Sequence, residues 1–222
     1  AYRTVPQSCN GFAHLCGERY NNVFYATSHN AMSTVDDHSA INGGGGFVGP
    51  YQFETVSRQL QLGARALNFD GAQDGINGSA VSLCTEMGCQ YGHLALEVAA
   101  AEVRKFIDWD QTRRRVNVDA PAGGEVITLL IQGKANADDL QKAFELGGLF
   151  ELVYDPSDAR FSNTAANNPA DAKSISYPTL GDLLCSPDYV QNPDINCTSS
   201  AVVVFVETVT GGARPAWALP MS

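Results

Sequence analysis

The sequence has few basic residues and no long apolar run, and each shortage excludes a class of protein. Only 14 lysines and arginines stand against 24 aspartates and glutamates, which gives a net charge of -10. A nucleic acid or an anionic membrane surface is therefore not an expected partner, because both bind proteins through basic patches. The longest apolar run, residues 201–206, has the length of a strand and is far below the roughly 20 residues that a membrane-spanning helix needs. No transmembrane segment is predicted.

Three common signatures of function are also missing. No Gly-x-Ser-x-Gly elbow occurs at a strand-to-helix turn, which argues against a serine hydrolase. The glycine run at residues 43–46 lacks the Lys-Ser/Thr of a phosphate-binding P-loop, and we interpret it as a flexible lid. No cysteine pair has the two-residue spacing of a structural zinc site.

The cysteines indicate an oxidising compartment instead. They form three close pairs: Cys9 with Cys16, Cys84 with Cys89, and Cys185 with Cys197. An even count at such short spacings predicts three local disulfides. Glycosylation sequons at Asn77 and Asn196 agree with this environment. We therefore expect a secreted protein that is extracellular or lies at the cell surface.

Apolar segments of strand length alternate with amphipathic segments of helical period. The predicted strands are 23–27, 64–69, 80–84, 125–131, 152–154 and 201–207, and the predicted helices are 53–62, 94–109, 137–149 and 179–184. Buried strands that alternate with helices predict an α/β fold with a parallel sheet. The length fits one domain, residues 1–222. Within it, residues 156–200 are rich in Asn, Asp, Ser and Pro and are predicted to form a long surface excursion.

Polar residues follow the first two predicted strands. His29 and Asn30 come after the first strand, and Asn68 and Asp70 end the second. The carboxyl ends of parallel strands carry the chemistry of such sheets, so these side chains are predicted to form one polar site. Taken singly, each also has a structural reading: a histidine after a strand can serve as a hydrogen-bonding residue, and an aspartate before Gly71 can form a turn.

Two stretches resemble a known family. They are VFYATSHN at residues 23–30 and QLQLGARAL at residues 59–67. In order and spacing they resemble the opening of the catalytic domain of secreted, fungal-type phosphatidylinositol-specific phospholipases C. Fainter similarity of pattern covers most of the chain. The resemblance implies a TIM-type (β/α) barrel, which has about eight strands. Because fewer strands are predicted here, we expect the barrel to be incomplete at its C-terminus.

The resemblance also implies roles for individual residues. The family cleaves the phosphodiester of an inositol phospholipid when the inositol 2-hydroxyl attacks phosphorus. By match, His29 is the general base, a role that suits an imidazole. Arg65 matches a phosphate-binding arginine, although a salt bridge is an equal alternative. Asn30, Asn68 and Asp70 match calcium ligands. Because only one of the three is a certain carboxylate, calcium binding is expected to be weak.

The sequence departs from the family where a second histidine is expected. The family's Leu-Cys-His is replaced by Leu83-Cys84-Thr85, and a threonine cannot supply a proton at neutral pH. Thr85 remains a candidate substrate contact, along with Asn30 and Arg65. His93 is a candidate substitute for the missing acid, or a residue that begins the following helix.

Two functions therefore stay open. One is an extracellular phosphoric diester hydrolase acting on an inositol phospholipid or another phosphodiester. The alternative is a catalytically degenerate secreted module for binding, adhesion or assembly. In that case a protein partner or a second copy would complete the barrel, because an open parallel barrel leaves two unpaired edges.

Overall fold

The structure is a computed structural model that describes residues 7–35, 47, 49–76, 78–85, 88–116, 123–157, 177–184 and 200–221. Its strands are β1 Ser8–Cys9, β2 Thr27–Ser28, β3 Ala66–Asp74, β4 Val81–Cys84, β5 His93–Ala95, β6 Gly123–Asn136, β7 Ser200–Thr210 and β8 Ala218–Pro220. Its α-helices are α1 Val56–Gln61, α2 Leu96–Val116, α3 Ala137–Leu146 and α4 Leu180–Leu184. The predicted α/β class is confirmed.

Five parallel strands lie side by side in the order in which they occur along the chain. β2, β3, β6, β7 and β8 are successive parallel neighbours, and β1 pairs in parallel with the start of β6. A helix follows each of the first three of these five strands, as is usual for a parallel crossover. β4 instead pairs antiparallel with the last two residues of β3, and β5 pairs antiparallel with β4, so the sheet is mostly rather than wholly parallel. Among the described residues the sheet is open, and a TIM-type barrel is not shown.

Alternate residues of the central strands face opposite sides of the sheet. Leu67, Leu129 and Val204 share a core with α1, α2 and α3, and we call this side the outer face. Val126 and Val203 belong to a second core on the inner face, where α4 and the N-terminal segment cover the amino-terminal half of the strands. Burial on both faces explains why the sequence of these strands is continuously apolar.

The first strand, predicted at residues 23–27, is much shorter in the structure. Only Thr27–Ser28 pair with β3, and the side chain of Phe24 is 100% exposed rather than buried. The predicted strand at residues 152–154 is instead a 3-10 turn, Phe150–Leu152, followed by a single bridge from Val153 to β7. Both segments are apolar, but too few of their residues find a neighbouring strand.

The second predicted helix begins two residues late because Leu94 belongs to β5. The helix, α2, also continues past residue 109 to Val116, so Arg113 and Arg114 lie on its last turns. Within the segment predicted as a surface excursion, α4 is the predicted helix and its Leu180 is buried in the inner core. The rest of that segment lies almost wholly outside the described residues.

Two of the predicted disulfides are present. Cys9 is bonded to Cys16 and Cys84 to Cys89, with Cα–Cα distances of 5.1 and 4.9 Å. The third cysteine pair, the sequon asparagines and the glycine run lie outside the described residues. Within the part of the chain that the structure describes, no helix is both long and apolar enough to cross a membrane. The disulfides agree with an oxidising compartment.

Candidate functional site

β2 pairs with the first two residues of β3, and the turn that follows β2 contacts Asn68. Thr27 pairs with Ala66 in parallel register, and the contact continues beyond β2. The backbone N–H of Asn30 donates to Oδ1 of Asn68 at 3.4 Å, and that of Ala31 donates to the Asn68 carbonyl at 2.9 Å. We call the region around Asn68, Gln132 and Glu207, towards the carboxyl ends of β3, β6 and β7, the rim.

His29 is exposed and lies in the turn that follows β2. The preceding residue, Ser28, donates its hydroxyl to Gln59 Oε1 of α1 at 2.5 Å. The chain then turns at Asn30, which has φ +48°, a left-handed conformation that asparagine tolerates better than most residues. The turn after β2 therefore leaves the His29 imidazole exposed.

Two β-bulges shape the rest of the rim. Asp70 and Gly71 of β3 lie opposite Gln132 alone, and Gln132 and Gly133 of β6 lie opposite Glu207 alone. Bulges are common beside active sites because they redirect side chains. At Gly71, which has φ +60°, a Cβ atom would lie 2.3 Å from the Cys84 carbonyl oxygen, so only glycine fits. The bulges thus bring acidic and amide side chains to the rim.

The polar atoms of the rim are largely bonded to one another. Asn68 Nδ2 donates to Gln132 Oε1 at 2.5 Å, while Asn68 Oδ1 accepts from Asn30. Asp70 Oδ1 accepts from the Gly71 N–H at 2.8 Å, and Glu207 Oε2 accepts from the Gly133 N–H at 2.7 Å. The centre of the rim is consequently a pair of neutral amides, and a carboxylate lies on either side of it. One oxygen of each carboxylate accepts a backbone N–H.

This donor set does not fit calcium. The ion prefers six to eight oxygens, several of them anionic. Of the three residues that the resemblance implies, Asp70 alone is an acid, and the Asn68 oxygen already accepts a hydrogen bond. No group of three or more His, Cys, Asp or Glu side chains suited to a metal occurs in the described ranges. We derive no step through calcium, and its involvement stays a prediction.

Arg65 lies away from the rim. It precedes β3 at the opposite end of the strand, and its Nε forms an ion pair with Glu125 at 2.8 Å. Its Nη1 donates to the carbonyls of Leu60 and Ala64, and its guanidinium lies over the Phe106 ring at 5.3 Å. Of the two alternatives that the sequence left open, the structure contains the salt bridge. It does not bring Arg65 to His29.

Thr85 and His93 lie on the antiparallel extension of the sheet. Thr85 follows β4, is buried, and its hydroxyl has no hydrogen-bond partner among the described residues. His93 does not begin a helix but starts β5, where it pairs with Cys84 and is partly exposed. The described residues show no contact between the imidazoles of His93 and His29. His93 therefore does not face His29 in the part of the chain that the structure describes.

Four rim residues were missed by the sequence analysis: Tyr51, Gln52, Gln132 and Glu207. Gln132 and Glu207 follow the strongly apolar cores of β6 and β7, so the rule that identified Asn68 and Asp70 would also have found them. Tyr51 and Gln52 lie outside any helix or strand. Their positions depend on tertiary contacts that no local pattern signals.

Comparison with known proteins identifies no relative: no family model, no curated protein and no solved structure matches this chain. The likeness to phospholipases C thus remains a prediction from the motifs. Any function for the rim must be argued from its geometry and its chemistry.

Proposed function

We propose that the chain is an extracellular phosphodiesterase of the phosphatidylinositol phospholipase C type, with His29 as general base. The supporting observation is the hydrogen-bonded contact between the turn after β2 and Asn68 of β3. The turn carries the exposed His29, and Asn68 belongs to the group of amide and carboxylate side chains at the rim. Carboxyl ends of parallel strands are where such sheets carry their catalytic groups.

The proposed reaction uses a nucleophile that belongs to the substrate. The inositol 2-hydroxyl attacks phosphorus, and His29 takes the hydroxyl proton as the new P–O bond forms. The bond to the diacylglycerol oxygen breaks, and the products are a cyclic inositol phosphate and diacylglycerol. A phosphate oxygen can accept hydrogen bonds from the Nε2 group of Gln132, whose Oε1 is already bonded to Asn68.

The leaving oxygen needs a proton from elsewhere. Thr85 cannot supply one at neutral pH. His29 faces the attacking side, and in-line displacement puts the leaving group on the opposite side. We therefore assign this proton to solvent. General acid catalysis is typically worth about 10²- to 10⁴-fold in rate, so we expect slow turnover rather than none.

The test is an assay of the purified protein on phosphatidylinositol and on glycerophosphoinositol, with calcium and with a chelator. We expect slow release of cyclic inositol phosphate that His29→Ala lowers by about 10²-fold or more, because it removes the base. His14→Ala is the matched control, since His14 is also exposed but lies on the 3-10 helix Ala13–Gly17, which packs near the amino ends of the strands. Equal activity of His29→Ala and the wild type would remove His29 from the mechanism.

The buried Thr85 favours the second candidate, a catalytically degenerate secreted module. Its hydroxyl stands where the resembling family has a histidine, and it is shielded from solvent. On this alternative the open sheet would associate with a partner or a second copy. Sedimentation at micromolar concentration separates the two candidates, because a module that completes its sheet by association should not be monomeric. If the protein is a monomer and its turnover depends on His29, the hypothesis of a degenerate module is rejected.

A further inference from the structure

We propose that Tyr51 and Gln52 are positioning residues for His29, and that the short arm they form holds the imidazole in its working orientation. The inference deepens the proposed function and rests on it. It begins from a problem of the rim: the His29 side chain is exposed, so packing alone does not select one rotamer. Catalysis by a base requires a narrow range of positions, and a misplacement of about 1 Å can cost about 10²-fold in rate.

Gln52 holds the main chain of His29. Its Nε2 donates to the His29 carbonyl oxygen at 2.6 Å. On the next residues, Asn68 accepts the N–H groups of Asn30 and Ala31, and Gln59 Nε2 donates to the Ala31 carbonyl at 2.9 Å. Side chains from three different segments thus fix the backbone from which the imidazole projects.

Tyr51 contacts the imidazole itself. The two ring centroids lie 5.8 Å apart with an interplanar angle of 75°, an edge-to-face arrangement. Such pairs are favourable beyond the area that they bury. Among the described residues this is the one ring contact of His29. The contact restricts rotation of the imidazole about its χ angles while leaving the ring open to the rim.

The arm is itself anchored in the core. The N–H groups of Tyr51 and Gln52 donate to the Ser33 carbonyl at 3.0 and 2.9 Å, and Val35 donates back to the Gln52 carbonyl at 2.9 Å. Ser33 is fully buried, and its own N–H donates to the Asn30 carbonyl at 2.9 Å. The arm therefore closes on the same turn that carries His29. A rigid anchor of this kind is what a positioning role requires.

The kinetic test measures kcat and KM for phosphatidylinositol cleavage by Tyr51→Ala, Tyr51→Phe and Phe53→Ala. Loss of an aromatic pair should lower kcat roughly three- to tenfold, and KM should change by less than about twofold, because the substrate contacts remain. Tyr51→Phe keeps the ring and should restore the wild-type kcat. Phe53→Ala is the matched control, since it removes a neighbouring ring that is 85% exposed.

A double substitution separates positioning from a general effect on the fold. Tyr51→Ala should cause no further loss in a His29→Ala background, since there is no imidazole left to position. An undiminished kcat for Tyr51→Ala, an equal loss in the His29→Ala background, or no recovery with Tyr51→Phe would each overturn the proposal.

Nuclear magnetic resonance of the His29 imidazole tests the proposal even if no turnover is found. The Tyr51 ring should shift the imidazole C–H signals of the wild type and of Tyr51→Phe. In Tyr51→Ala these signals should move towards those of a free histidine, and Gln52→Ala should broaden them. Unchanged signals in both alanine variants would overturn the positioning role. A protein that shows these shifts but no cleavage would instead disprove the proposed function and leave the positioning contact standing.

Discussion

The two ends of the central strands hold opposite kinds of polar chemistry. At the amino ends, Glu125 binds Arg65 and Arg114 at 2.8 Å each, and Arg114 also binds Asp110 at 2.6 Å. Both acids are almost completely buried, at 2% and 1% exposed. At the carboxyl ends, neutral amides occupy the centre of the rim, and the imidazole of His29 lies in solvent.

We assign a stabilising role to the polar groups at the amino ends of the strands and a chemical role to those at the rim. Buried charges are tolerated only when each has its partner, so the amino-end network has no spare group for a ligand. The two amides at the centre of the rim, Asn68 and Gln132, carry no net charge, and Gln132 is only partly buried. Residues at the amino ends of parallel strands commonly serve stability, and those at the carboxyl ends serve function.

Glu125→Gln disrupts the ion-pair network at the amino ends of the strands and should have the largest effect on stability. It leaves Arg65 and Arg114 facing each other without their shared carboxylate, and such losses cost about 3–5 kcal/mol. The free energy of unfolding from urea denaturation measures this. Glu145→Gln is the control, because the exposed Glu145 carboxylate accepts from the Gln141 amide on the same helix and forms no ion pair among the described residues. A loss below about 1 kcal/mol for Glu125→Gln would show that the network is not a stability element.

Alkaline pH should also act first on the amino-terminal half of the sheet. Burial raises the pKa values of Tyr20, Tyr25 and Tyr154 above their usual range. Above pH about 10 the unfolded chain loses these protons while the folded chain keeps them, so stability falls as pH rises. The slope is at most about 1.4 kcal/mol per pH unit for each tyrosine. Below pH about 10 these tyrosines do not make the free energy of unfolding depend on pH.

Tyr20→Phe removes one of these ionisable hydroxyl groups. The variant should show a shallower decline of unfolding free energy with pH, although it loses the bond to the Thr128 hydroxyl at neutral pH. Chemical denaturation across the alkaline range, followed together with tyrosinate absorbance, provides the measurement. An identical slope in the two proteins would mean that Tyr20 ionises equally in the folded and unfolded states.

The fold could be predicted where the sequence pattern is continuous. Apolar runs identified β6 and β7, and the predicted helix 53–62 contains α1, after which Gly63 has φ +113°. Phe24 shows the limit, because its apolar segment has β-strand character but meets β3 only over two residues. The antiparallel placement of β4 and β5 could not be foreseen, because strand direction depends on pairing rather than on local propensity.

The site could be predicted only in part. The rule of strand ends located His29, Asn68 and Asp70 on one edge, but it gave no means to choose between two partners for Arg65. That choice was decided by Glu125, which is distant in sequence. The bulges at Gly71 and Gly133 likewise arise from register shifts between strands and have no local signature.

Asn68→Asp changes the amide pair of the rim and should have the smallest effect on stability. The substitution removes the amide that donates to Gln132 and adds a carboxylate to the β3 strand that already carries Asp70. Loss of the hydrogen bond should cost about 1 kcal/mol in the presence of a chelator. The added charge should also make the rim a better calcium site.

Thermal unfolding with and without millimolar calcium measures both effects. Calcium should stabilise Asn68→Asp by about 1.4 kcal/mol at ten times its dissociation constant, and it should leave the wild type unchanged. Asn21→Asp adds the same charge on an exposed turn remote from the rim and controls for screening by the ion. Stabilisation of the wild type that matches that of Asn68→Asp would mean that the natural rim already binds calcium. The amide pair would then not be what separates this site from a metal centre.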